Sequence, residues 1–208
     1  AVRRVVNDYD GLEIVLAQFD TAQPLLQQAL AAAPEKDRLI YAHILGMMGD
    51  GAGAQVLADA VNAKPWDQGW RYTGMGQFGA CMSPLDSLLI ALGRTRSLVG
   101  VKPILEKAGQ LGPNSEFSHF RAVAMAIETL GDKSAAPPLA ELLRKPGLGG
   151  HAVTTIDAAL EANPSSRTDT TVRNQALKEL YLARALYRCG DYEGLGEKTL
   201  REYSRDLH

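Results

Sequence analysis

No apolar run in this sequence approaches the ~18 to 20 residues that a membrane-spanning helix requires, so a spanning anchor is not expected. Charge of one sign is also missing: Lys and Arg total 22 against 24 Asp and Glu, a formal net charge of −2. Nucleic-acid binders carry a basic excess on one face, and peripheral membrane anchors a basic amphipathic helix. Neither class of partner is expected, and the chain reads as soluble. Cysteine is scarce. Cys81 and Cys189 have neither metal-ligand spacing nor the logic of a disulfide framework. Cys189 falls in a helical apolar stripe, where a thiol behaves as a small hydrophobe. The start, Ala1-Val2-Arg3-Arg4, has no signal-peptide core and suggests a piece of something longer, so compartment stays open.

Strand-type alternation is nearly absent, whereas apolar residues recur at helical spacing, as in Leu39, Ala42, Leu45 and Met48. Gly, Pro and Asp interrupt this pattern at short intervals. The pattern predicts helices over 10–18, 21–33, 36–48, 53–63, 83–95, 100–111, 116–130, 134–144, 152–162, 170–189 and 192–206. Asp20 is the expected N-cap of the second, with Pro24 in its first turn. Ser83-Pro84 should open the fifth as cap and first helical residue.

Self-similarity sets the architecture. Gly49-Asp50, Gly131-Asp132 and Gly190-Asp191 each close a helix, and the residues before them share small and large apolar positions: Ala42, Ala124 and Ala183, then Leu45, Ile127 and Leu186. A degenerate copy has Arg96 in place of the glycine. Helix pairs that cannot bury their own apolar faces stack on one another. The expected fold is therefore all-α, a single right-handed α-solenoid over 1–208, with capping helices at 1–33 and helix pairs at 36–63, 83–111, 116–144 and 174–206.

A first helix ending in Leu-Gly-Asp, a short turn, and a second helix opening with small residues and proline resemble the HEAT-like repeat of the phycobilisome-lyase type. The segment from Trp66 to Gly79, the Ser83-Pro84-Leu85-Asp86-Ser87 stretch, Phe117-Ser118-His119-Phe120-Arg121 and Cys189-Gly190-Asp191-Tyr192 resemble the helical region that follows the FAD-binding part of certain bacterial FAD-dependent oxidoreductases. That resemblance implies a scaffold domain beside a flavin domain, with FAD in the parent protein. No cofactor is expected in this chain. Gly74-Met75-Gly76-Gln77-Phe78-Gly79 is not a dinucleotide fingerprint, because no strand precedes it.

Spacing between repeats is unequal, and the surplus lies in inserts at 64–82 and 145–170. The first holds Trp66, Trp70, Arg71, Tyr72, Gln77 and Phe78, a mixture suited to a sugar ring, a flavin edge or a protein surface, or to plugging the groove between repeats. An exposed apolar patch around Trp66, Trp70, Met75 and Phe78 is the expected docking surface. The second insert carries His151 among glycines and reads as a flexible connector or a pocket mouth. His119, near Glu116 and Arg121, is a candidate acid or base, or a packed residue; His43 is expected to pack. Arg184 and Arg188 can present a paired cation, or pair with Asp191 or Glu193. No serine lies in a nucleophile-elbow context, and no histidine has metal-site spacing. The function expected is a non-catalytic scaffold whose partner is a protein or a neighbouring flavin domain. A free-standing module gripping a peptide on its concave face is the alternative, and a lyase or hydrolase with a pocket under the tryptophan insert is the third reading.

Overall fold

A computed structural model describes residues 1–67, 82–161 and 170–207. Among these residues the protein is all-helical, with no strand. Its helices are α1 (Leu12–Ala17), α2 (Phe19–Ala32), α3 (Glu35–Met47), α4 (Ala54–Ala63), α5 (Pro84–Arg94), α6 (Val101–Gly109), α7 (Phe117–Leu130), α8 (Ala136–Leu143), α9 (Ile156–Glu161), α10 (Thr171–Arg188) and α11 (Leu195–Tyr203). Short 3₁₀ turns at Leu98–Gly100 and Lys133–Ala135 lead into α6 and α8. None of the helices is long and apolar enough to cross a membrane.

The glycines that end α3, α7 and α10 take the left-handed conformation, with φ of 88° at Gly49, 69° at Gly131 and 102° at Gly190. An L side chain is strained there, which explains glycine at these stops. Arg96 adopts the same conformation, φ 53°, at the end of α5 without a glycine's freedom. After each glycine the aspartate turns back onto backbone N–H groups: Asp50 accepts from Ala52 at 2.7 Å, Asp132 from Ser134 at 2.7 Å, and Asp191 from Gly196 at 2.8 Å.

Helices α3, α5, α7 and α10 pack side by side in that order, and α4, α6 and α8 form a second row against them, with α11 on α10. The interior between the rows is apolar and mostly aliphatic: Leu45, Leu57, Leu89, Leu92, Ile104, Phe120, Ile127, Leu139 and Leu186 are buried. Each such side chain contributes about 1.5 to 3 kcal/mol relative to an exposed one. Backbones approach closely where side chains vanish. A Cβ on Gly93 of α5 would sit 2.4 Å from Ala126 Cα of α7, and one on Gly46 of α3 would sit 3.0 Å from the Ala91 carbonyl of α5.

Several local expectations are corrected. Helix α2 begins at Phe19, so Asp20 lies inside the first turn rather than at the cap, where Gln18 stands with no side-chain bond. Pro24 is therefore interior to the helix instead of in its first turn. The first half of the second insert is not a loose connector. Leu148 is buried, Lys145 Nζ donates to the carbonyls of Gly109 and Leu111 at 2.7 Å each, and the Gly150 and His151 N–H groups donate to Glu179 at 2.8 Å each.

Candidate functional site

The N-terminal turn of α5 gathers polar groups from several elements. Ser83 and Asp86 form a reciprocal cap: the Asp86 N–H donates to Ser83 Oγ at 3.1 Å, and the Ser83 N–H donates to Asp86 Oδ2 at 3.0 Å. This is the capping-box arrangement, with Pro84 at the first helical position as expected. Asp67 adds a third contact, accepting from the Leu85 N–H at 3.0 Å. Carboxylates belong here, because the unsatisfied N–H groups of a helix start carry partial positive charge.

Helix α7 reaches the same turn. His119 Nδ1 donates to Asp86 Oδ1 across 2.7 Å, with Asp86 0% and His119 4% exposed. The Trp66 ring covers the imidazole at 4.3 Å between centroids, tilted 38°. Burial pushes the Asp86 carboxyl up, but hydrogen bonds from His119, Ser118 and Ser83 outweigh it and hold it below its ordinary value. The pair is thus an ionised carboxylate fully removed from water and neutralised by donors, the condition under which buried charge is tolerated.

Helix α3 grips the neighbouring residue. His43 Nε2 lies 2.8 Å from Ser87 Oγ, and its Nδ1 lies 2.8 Å from the hydroxyl of Tyr9. Desolvation lowers the His43 pKa and raises that of Tyr9, so both are neutral near pH 7. Two histidines from the two flanking helices therefore hold consecutive residues of α5.

Of the predicted site residues, the structure brings together Trp66 and His119. It places Trp66 as a half-buried cover on His119 rather than in an exposed patch, with its Nε1 buried and lacking a hydrogen-bond partner. Trp70, Arg71, Tyr72, Gln77 and Phe78 lie outside the described residues, as do Met75 and Cys81. Arg121 stands half-buried on α7, one turn beyond Phe117. His151 belongs to a different cluster, its ring on the Gly147 carbonyl at 3.1 Å. Arg184 and Arg188 do not pair with Asp191 or Glu193. Both bind Glu128 of α7, at 2.6 and 3.1 Å, while Asp191 caps α11 and Glu193 takes Arg144. Helix-to-helix packing sets Glu128 beside the arginines, a proximity that a separation of 56 residues along the chain does not reveal.

Sequence reasoning also missed Asp86, Ser87, Tyr9, Glu128 and Glu179. Only Asp86 left a legible trace, as the acidic residue three places after Ser83. No group of three or more potential metal ligands occurs among the described residues. Compared with protein-family models, curated proteins and solved structures, the chain matches none.

Proposed function

We propose that this chain is a right-handed α-solenoid of HEAT-like helix pairs and serves as a non-catalytic scaffold that docks a protein partner. The observation that carries the reading is the commitment of several described candidate groups to bracing. His119 is spent on Asp86, and Arg184 and Arg188 on Glu128; the Glu179 carboxylate, only 3% exposed, receives Gly150 and His151 of the second insert and the Tyr203 hydroxyl of α11. Each contact ties one helix of a row to the next, or ties an insert or α11 to the rows. The succession α3, α5, α7, α10 with a second row alongside is what stacked helix pairs produce.

Docking needs exposed apolar surface, and helix α9 supplies it. Ile156 and Leu160, one turn apart, are each 72% exposed, and no residue of that helix is buried. A solvated helix face of this sort gains by being covered. A neighbouring flavin domain in a larger oxidoreductase remains the partner that the sequence resemblance suggests.

Calorimetric titration of the purified chain with FAD tests the reading together with photo-cross-linking from positions 156 and 160. The scaffold reading expects no FAD uptake by the chain, and one reproducible cross-linked protein that is lost on Leu160→Asp. Tight binding of FAD to the chain alone would overturn it and make this a cofactor-binding domain.

A further inference from the structure

The three-residue chain Tyr9–His43–Ser87 has the arrangement of an activated hydroxyl, and it goes beyond the scaffold reading without contradicting it, because a single acyl transfer to the chain itself is not turnover. Its members come from three separate segments: the N-terminal turns, α3 and α5. Ser87 Oγ is 2.8 Å from His43 Nε2, and His43 Nδ1 is 2.8 Å from Tyr9 Oη. A nucleophile within reach of a base, and that base in turn held by a third group, is the geometry that lowers the barrier to serine attack. Helix serines commonly return their hydroxyl to a carbonyl one turn back. Here the Ser87 hydroxyl is instead turned to the imidazole, at 2.8 Å. Ser87 is also the fourth residue of α5, within the first turn, where the helix dipole favours a developing alkoxide. The relay runs from Tyr9, 36% exposed, to a half-buried serine, so the hydroxyl is neither sealed in the core nor freely hydrated.

We propose that Ser87 is an acyl-accepting nucleophile, with His43 as its general base and Tyr9 as the residue that positions the imidazole. The acyl donor is a small activated ester, an aryl ester or a thioester. With the ring proton on Nδ1 and donated to Tyr9 Oη, Nε2 accepts the Ser87 proton. Oγ then forms a bond to the acyl carbon, the bond from that carbon to the leaving oxygen or sulfur breaks, and the proton passes from Nε2 to the leaving group. The product is an acyl ester on Ser87 and one equivalent of alcohol or thiol. Burial keeps the imidazole unprotonated near neutral pH, which leaves Nε2 able to act.

The test is to incubate the chain with p-nitrophenyl acetate and locate acetyl groups by peptide mass spectrometry, with far-UV circular dichroism on every variant. Ser87 should be acetylated faster than Ser83, Ser97 or Ser115, and Ser87→Ala should remove that product. His43→Gln, which keeps a hydrogen-bonding side chain but no base, should slow Ser87 acetylation about 100-fold, the lower end of what a general base supplies. Tyr9→Phe should give a smaller loss. Acetylation of Ser87 no faster than at the other serines, or an unchanged rate in a folded His43→Gln protein, would overturn the proposal. Should His43→Gln not fold, carbethoxylation of the histidines in the unmodified chain serves instead. Ser87 acetylation should stop and then resume after hydroxylamine treatment, and labelling that continues through carbethoxylation refutes the role of His43.

Discussion

His119 of α7 donates to Asp86 of α5 across 2.7 Å in a place that water does not reach, and the Trp66 ring closes over it. The carboxylate depends on this donor. Replacing His119 by Ala should cost roughly 3 to 5 kcal/mol, because one partner of a buried pair is left unmatched. Adding Asp86→Leu to His119→Ala should recover part of that loss, so the double mutant will be less destabilised than the sum of the single changes. Urea denaturation of the four proteins measures the coupling, and strict additivity would mean that the pair is not coupled.

Stability should fall in two steps on acidification. The folded state holds His43 below the 6.5 of a free imidazole, so in that window the unfolded chain binds more protons. This contribution is complete above 6.5 and is lost as pH drops toward the folded value. Asp86 is held below 3.8, so its contribution is present above 3.8 and is lost as pH falls through its lower folded value. Urea midpoints collected from pH 7.5 downward should begin to decline below pH 6.5, and His43→Gln should flatten that first decline while leaving the acid limb in place.

Glu179 accepts from the Gly150 and His151 N–H groups and the Tyr203 hydroxyl, at 2.8, 2.8 and 2.9 Å, and no cation pairs with it among the described residues. Glu179→Gln turns one of these acceptors into a donor facing donors. The expected loss is about 1 to 3 kcal/mol. Hydrogen exchange should accelerate at the Gly150 and His151 amides more than within α5 or α7.

Glycine replacements should rank by the space around them. Gly93→Ala drives a methyl into the α7 backbone at Ala126 and should cost about 1 to 3 kcal/mol through overpacking. At Gly109 an added Cβ meets nothing within 4 Å, and alanine there should stabilise by about 0.4 to 1 kcal/mol. Thermal melts of the two variants should shift in opposite directions.

The Cys189 thiol, 1% exposed, is pushed up to about 11 by burial, with Glu128 and Asp132 adding to the shift. A thiolate is the reactive form. In a Cys81→Ser background, a thiol reagent at pH 8 should leave Cys189 untouched in the folded chain and modify it promptly in urea.

Much of the helical framework was legible because it rests on local rules. Apolar periodicity marks α3, α5, α7 and α10, and the stops at Gly49, Gly131 and Gly190 follow from the left-handed turn that glycine alone adopts without strain. The Ser83-Pro84 start of α5 was equally readable. The local rule failed at α2, where Asp20 has the right chemistry for a cap but α1 runs almost directly into Phe19, separated from it by Gln18 alone.

By itself the sequence determined helix against strand, most of the breaks and the apolar positions of the repeated helix ends, since these depend on residues within a turn or two of one another. Only the tertiary structure decided the polar partnerships: His119 with Asp86, His43 with Ser87 and Tyr9, Arg184 and Arg188 with Glu128, and Glu179 with the second insert. These partners are far apart in the chain, and an isolated polar residue gives no sign of which distant group will meet it. Burial makes the choice, because a carboxylate or imidazole removed from water must find a donor or acceptor on whichever helix packs beside it.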